Sequence, residues 1–275
     1  MSERRERTRQ HGPEPAAGRV PLALVPAAVL AVAFLVLPLF GLLQRAPWTD
    51  LGPVLRAPAV SDALRLSLFT ALASTALCVV LGLPLAWVLA RAPFPGRRVV
   101  RALVTLPMVL PPVVGGAALL FALGRRSPVG GWLDDAFGLT LPFSTTGVVI
   151  AQTFVALPFL VITVEGGLRA GDRGLEEAAA SLGAGRWTVL RRVTVPQVAP
   201  SLLAGAVLAW ARALGEFGAT ITFAGSLQGR TQTMPLAVYQ ALQRDQGAAI
   251  VLSLVLVVVS LGVLVALRDR WAPAG

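Results

Sequence analysis

Lysine is absent from the 275 residues, so all 24 basic side chains are arginine. A Walker-type phosphate loop needs a lysine after its second glycine, and the chain therefore cannot cradle ATP in that way. Cysteine and histidine occur once each, as Cys78 and His11. Disulfide frameworks, zinc clusters and catalytic pairs built from two such residues are excluded together. Charge is scarce too, at 14% of residues against about a quarter in soluble domains. With 55% hydrophobic residues and a mean hydropathy of +0.72, the chain is too apolar to remain solvated and disordered. The net charge of +10 could suggest nucleic acid, but that needs basic residues clustered on a soluble surface. Here the arginines lie between long apolar runs, which argues against a nucleic-acid partner, and no cofactor is expected.

Those apolar runs organise the chain. Residues 20–43, 66–90, 102–124, 145–164 and 247–267 carry no charge, and 198–225 carries only Arg212 and Glu216. At about 1.5 Å per helical residue, each covers a hydrocarbon core about 30 Å thick. The expectation is an all-α polytopic membrane protein with six transmembrane helices. The first run is too long for a signal-peptide core, and the residues after it make a poor cleavage site, so it is read as a retained helix. With the N-terminus inside, sixteen arginines face the cytoplasm and seven face outward, Arg212 lying within a span. That bias places both termini in the cytoplasm of a multi-pass plasma-membrane protein. Residues 1–19 read as a disordered basic tail attracted to anionic membrane lipid, with His11 not a ligand, and 269–275 as a short cytoplasmic tail. Residues 20–268 form the transmembrane domain. Cys78, mid-span, is a small packing residue.

The third run is interrupted by Pro107, Pro111 and Pro112, which must break its helical ladder, either as a packing kink or as the lining of a gate or path. In the fourth, Gln152 and Thr153 suit a path lining or interhelical hydrogen bonds. Most loops are short, but the inner loop 165–197 is not. Asp172 is placed to cap a helix of about ten residues, with Glu176 and Glu177 complementing its dipole. Gly183 supplies a left-handed stop. Leu175, Ala178, Ala179 and Leu182 make one apolar stripe, and the glutamates are free to pair with the basic groups of a docked partner. Anionic lipid would repel those glutamates, so a protein partner is favoured over the leaflet. A second helix over 186–195 should lead to Pro196 and Pro200 at the entry to span five.

Glu177-Ala178-Ala179, three residues, Gly183, nine residues, then Val193-Thr194-Val195-Pro196 resembles the EAA loop of binding-protein-dependent ABC importer permeases. Val193 and Val195 stand where the family more commonly has Ile and Leu. The resemblance implies the importer permease fold and a short helix, with Glu176, Glu177, Ala178, Ala179, Leu182 and Gly183, that docks on a cytoplasmic ATP-binding subunit. It further implies two permease copies on two such subunits, fed by an extracytoplasmic binding protein that meets loops such as 45–62 and 125–144. ATP hydrolysis would belong to the partner, and the permease itself would not be an enzyme.

Residues 211–242 and the stretch from span three onward are similar to the permeases of molybdate importers, with tungstate hard to separate and sulfate next. The run 231–239 favours molybdate over sulfate. Charged groups in a span mark function by default. Arg212 and Glu216 are four apart and able to pair. Gly215 and Gly218 thin the helix beside them, and Thr220 and Thr222 add hydroxyls. With Pro111, these residues are the candidates for the translocation path or gate, the alternative being an ion pair that only fixes packing. A rival class, an ion-coupled secondary transporter, should show more midplane carboxylates and matching repeats. An embedded hydrolase lacks an in-span histidine.

Overall fold

The computed structural model describes residues 24–49 and 51–267. The expectations for 1–19, His11 and 269–275 fall outside the described residues. The chain divides into two units, 1–45 and 46–275. In the first, α1 (Val25–Arg45) is a 21-residue apolar helix that carries Pro38 and has no buried residue. At about 1.5 Å per residue it is long enough to cross a bilayer core.

Every regular element among the described residues of the second unit is also helical. It begins with α2 (Leu51–Leu55) and α3 (Pro58–Arg91), followed by α4 (Arg97–Val109) and α5 (Pro112–Leu123). After α6 (Pro128–Phe137) and α7 (Thr145–Ala170) come α8 (Arg173–Ser181) and α9 (Arg186–Val189). A π-helical turn (Leu190–Thr194) leads into α10 (Val195–Leu214), and α11 (Gly218–Ala224), α12 (Met234–Leu242) and α13 (Gln246–Leu267) complete the chain. Among the described residues, five helices are long and apolar enough to span a membrane, or six spans if the bent pair α4 and α5 counts as one.

The core is the meeting of α3, α7 and α10. α3 presents a stripe of small residues, Ser67, Ala71, Ser74, Cys78, Gly82 and Ala86, all buried. Their three- and four-residue spacing puts them on one face, and small side chains let a neighbouring backbone approach. Gly82 accepts the side chains of Leu157, Leu160 and Val161 from α7. Ser74 Oγ donates either to Gln152 Oε1 (3.1 Å) or to the Val149 carbonyl (3.0 Å), so Gln152 serves an interhelical bond. Thr153 instead bonds back to the Val149 carbonyl of its own helix. Cys78 is buried there as a packing residue.

Three expectations from sequence need correction. Of the prolines in the third run, Pro107 lies inside α4 without ending it, and the chain turns at Leu110–Pro111, bending α5 by 118° from α4. Leu110 and Pro111 each precede a proline and take ψ values of 135° and 131°, since a following ring excludes the helical basin. Pro112 then opens α5 at a position whose amide needs no intrahelical partner.

The fifth run is not one helix either. α10 stops at Leu214, and α11 starts afresh at Gly218. Finally, Pro196 stands in the first turn of α10 as expected, but Pro200 lies inside that helix, and helical structure continues without a gap from Arg186 to Leu214. Pro196 has no amide to donate. It follows the π turn, in which Val195 N–H reaches back five residues to the Leu190 carbonyl. The wider turn sits where the regular ladder loses a donor.

Candidate functional site

The loop helix forms where expected. Asp172 Oδ1 accepts from Gly174 N–H at 2.8 Å, and Gly183 takes φ +85°, which a side chain would strain. Leu175 and Leu182 are 53% and 89% exposed, so most of the predicted stripe is open, with Ala179 half-buried. Glu177 projects outward and makes no side-chain bond among those observed. Glu176 departs from expectation. Rather than waiting for a partner, Glu176 Oε1 accepts from Arg91 Nη2 and from Thr194 Oγ1, each at 2.9 Å.

The same end of the bundle carries a second carboxylate that the sequence reading passed over. Buried Glu165 on α7 receives Arg101 of α4 at 2.5 Å and Arg169 of its own helix at 2.6 Å. The i, i+4 spacing of Glu165 and Arg169 was readable, whereas Arg101 lies 64 residues away. α4 has no fully buried residue, and this pair ties it to α7 beside Val100 and Val104, which pack against the core.

The path candidates gather around the break between α10 and α11. Arg212 pairs with Glu216, which is only 1% exposed. Glu216 Oε1 also accepts from Ala219 N–H at 2.8 Å, so from one residue before the N-cap Phe217 it satisfies a first-turn amide, with its charge at the positive end of α11. A Cβ on Gly218 would fall 2.9 Å from Pro112 Cβ, which shows how closely α11 approaches the start of α5. Gly215 has no such neighbour, since a Cβ there would meet only its own helix at 3.6 Å. The close approach is made instead by Gly116, whose Cβ would lie 2.7 Å from the Ala219 carbonyl oxygen and 2.8 Å from Thr222 Cβ. Within the chain, close approach is thus made at Gly218, as expected, and at Gly116, for which only the Gly115-Gly116 pair was a signal, while Gly215 lies open on the surface. Thr220 is buried, with its hydroxyl unpaired, while Thr222 donates to the Gly218 carbonyl of its own helix. Pro111 is exposed at the α4–α5 corner.

The run 231–239 is a pinned turn leading into the first residues of α12. Thr231 and Thr233 are buried, Met234 N–H donates to Ser67 Oγ at 2.7 Å, and Gln232 Nε2 donates to Gln240 Oε1 at 2.6 Å. At the far end from the loop helix, α6 is capped by Ser127 and crossed by a polar clasp. Arg125 and Thr140 both donate to Asp134, and these hydrogen bonds, Arg125's first, hold its carboxyl below its ordinary value. A lowered carboxylate stabilises the fold above its unfolded value, about 3.9, and that contribution is lost as pH falls through the lower folded value. Acidification below about pH 4 should therefore lower the protection of amides 125–140 against exchange, measured relative to their intrinsic rates at each pH, and Asp134→Asn should remove that loss of protection.

Long apolar helices, a bent pair at membrane-spanning length and a polar loop helix at one end define a multi-pass helical membrane protein. The chain belongs to the binding-protein-dependent transport system inner membrane component family, whose model matches residues 79–272. It is 50% identical over 233 residues to the molybdenum transport system permease protein ModB of Mycobacterium tuberculosis, covering 85% of this chain and 88% of the relative. To ModB of Escherichia coli K12 it is 42% identical over 190 residues, 69% of this chain and 83% of the relative. To the sulfate transport system permease protein CysW of the same organism it is 37% identical over 226 residues, 81% and 77%. A chain of a bacterial alginate ABC importer has the same fold, with a TM-score of 0.70 at 19% identity over 90% of this chain and 93% of that one.

Proposed function

We propose that this chain is the transmembrane subunit of an ATP-driven importer for molybdate. The observation that carries the substrate is the 50% identity to a molybdenum permease over nearly the whole of both chains, against 37% to a sulfate permease. Two copies would enclose one path, with two ATP-binding subunits on the cytoplasmic side and an extracytoplasmic molybdate-binding protein at the outer mouth. Both termini would then be cytoplasmic, as the arginine bias requires.

α8 would dock on the ATP-binding subunit through Leu175, Ala178 and Leu182, with Glu177 available to a basic partner. Exposed apolar side chains beside small ones suit a groove, and Gly183 lets the chain turn away from it. The corner where α5 meets α11, with Pro111, Arg212, Gly215, Glu216, Thr220 and Thr222 nearby, would form the gate region. An oxyanion path needs donors that bind weakly enough to release, and an arginine already paired with a glutamate meets that need. ATP binding would favour the outward-open state and hydrolysis would restore the inward-open one, each ligand shifting the balance by its differential affinity.

The test is uptake into proteoliposomes that hold the permease, its ATP-binding subunit and the binding protein. Molybdate should enter only with ATP, and a large excess of sulfate should compete poorly. Uptake by the permease alone would overturn the importer reading. Efficient competition by sulfate would replace molybdate as substrate, and equal competition by tungstate would widen the assignment to both.

A further inference from the structure

We propose that Glu176 is the positioning residue through which the loop helix α8 moves the membrane bundle, by fastening α8 to the end of α3 and the start of α10 at once. This rests on the importer reading above and adds to it how motion leaves the docking helix.

The argument begins with how little else holds α8. None of its residues is buried. Its connections to α7 and α9 run through Gly171 on one side and Gly183 and Gly185 on the other. Glycine linkers transmit force poorly, because they bend before they push. A helix displaced by a docked partner would simply swing unless a side chain tied it to the bundle.

Glu176 is that tie. One carboxylate oxygen, Oε1, receives Arg91 Nη2 and Thr194 Oγ1, both at 2.9 Å. Arg91 is the last residue of α3, and its side chain is 14% exposed against 21% for that of Glu176. Water therefore screens the pair less than a surface ion pair. Thr194 is buried and closes the π turn directly ahead of α10. An extra residue per turn shifts the register of everything that follows it, and such turns recur at functional positions. The Thr194 hydroxyl emerges from this turn. α3 and α10 are two of the three helices that make the core, so a load on Glu176 reaches the bundle directly. Adjacent helical residues point about 100° apart. Glu176 can thus face the bundle while Glu177 faces outward, and the two glutamates divide the work of holding and docking.

The experiment uses the assembled importer in proteoliposomes and reads radiolabelled molybdate taken up per ATP hydrolysed. Glu176→Gln should stay assembled with the ATP-binding subunit on co-purification. Its uptake per ATP should fall about tenfold, the equivalent of one charge-assisted hydrogen bond. Thr194→Val should lower the ratio and Thr194→Ser should keep it. The exchange Arg91→Glu with Glu176→Arg should recover more of the ratio than either single change. An assembled Glu176→Gln complex with an unchanged ratio overturns the proposal. So does loss of the ATP-binding subunit from Glu176→Gln under conditions where the wild-type chain retains it, because that would make Glu176 a docking contact. If the wild-type chain takes up molybdate without an ATP-binding subunit, the importer reading falls and the proposal with it. A coupled wild type beside an unaffected Glu176→Gln complex removes the proposal alone.

Discussion

Arg212→Gln should cost the folded permease about 3–5 kcal/mol, because it strands a buried carboxylate without its cation. Glu216 is 1% exposed and pairs with Arg212, while its other oxygen holds the Ala219 amide in the first turn of α11. Glutamine can still accept from the Ala219 amide, so Arg212→Gln with Glu216→Gln should regain most of the loss, as two neutral partners replace a broken ion pair. Thermal unfolding of the purified permease, with uptake measured in parallel, decides the matter. A destabilised single variant and a recovered double one mean that the pair holds the α10–α11 break. A single variant of wild-type stability with no uptake would instead place Arg212 in the path.

Gly116→Ala should be nearly as damaging, although it adds a single methyl group. The new Cβ would lie 2.7 Å from the Ala219 carbonyl oxygen and 2.9 Å from Ala219 Cα, both backbone atoms that cannot rotate aside. α5 must then withdraw from α11, and overpacking of this kind costs about 1–3 kcal/mol. The same change at Gly166 in α7, where nothing lies within 4 Å, is the control. There the gain in helix propensity, up to about 1 kcal/mol, should leave stability equal or higher. Equal thermal stability of the two variants would refute the close α5–α11 approach. Gly116→Val should be worse than Gly116→Ala, since its branched side chain needs still more room.

Both predictions involve contacts that local reading reaches only in part. Arg212 and Glu216 were recognisable as a pair because four residues bring side chains to one helical face. That the helix ends between them was not, since Gly215 alone does not distinguish a C-terminus from a packing glycine. The double proline signalled a break in the third run, but its 118° angle depends on how α5 settles against α11. Glu176 was read as a docking residue because its neighbours match a docking motif, and nothing in the loop indicates that Arg91, 85 positions earlier, would reach it.

By itself the sequence determined that the chain is a helical membrane protein, how many runs are long enough to cross, and where the loop helix begins and stops. Hydropathy, a capping aspartate and a left-handed glycine act within a few residues, so their consequences are local and readable. The tertiary structure decided which glycine meets a neighbouring backbone, which glutamate turns inward and which arginine holds Glu165. Each of those outcomes joins residues far apart in the chain. Their distance and burial exist only once α3, α7 and α10 have packed.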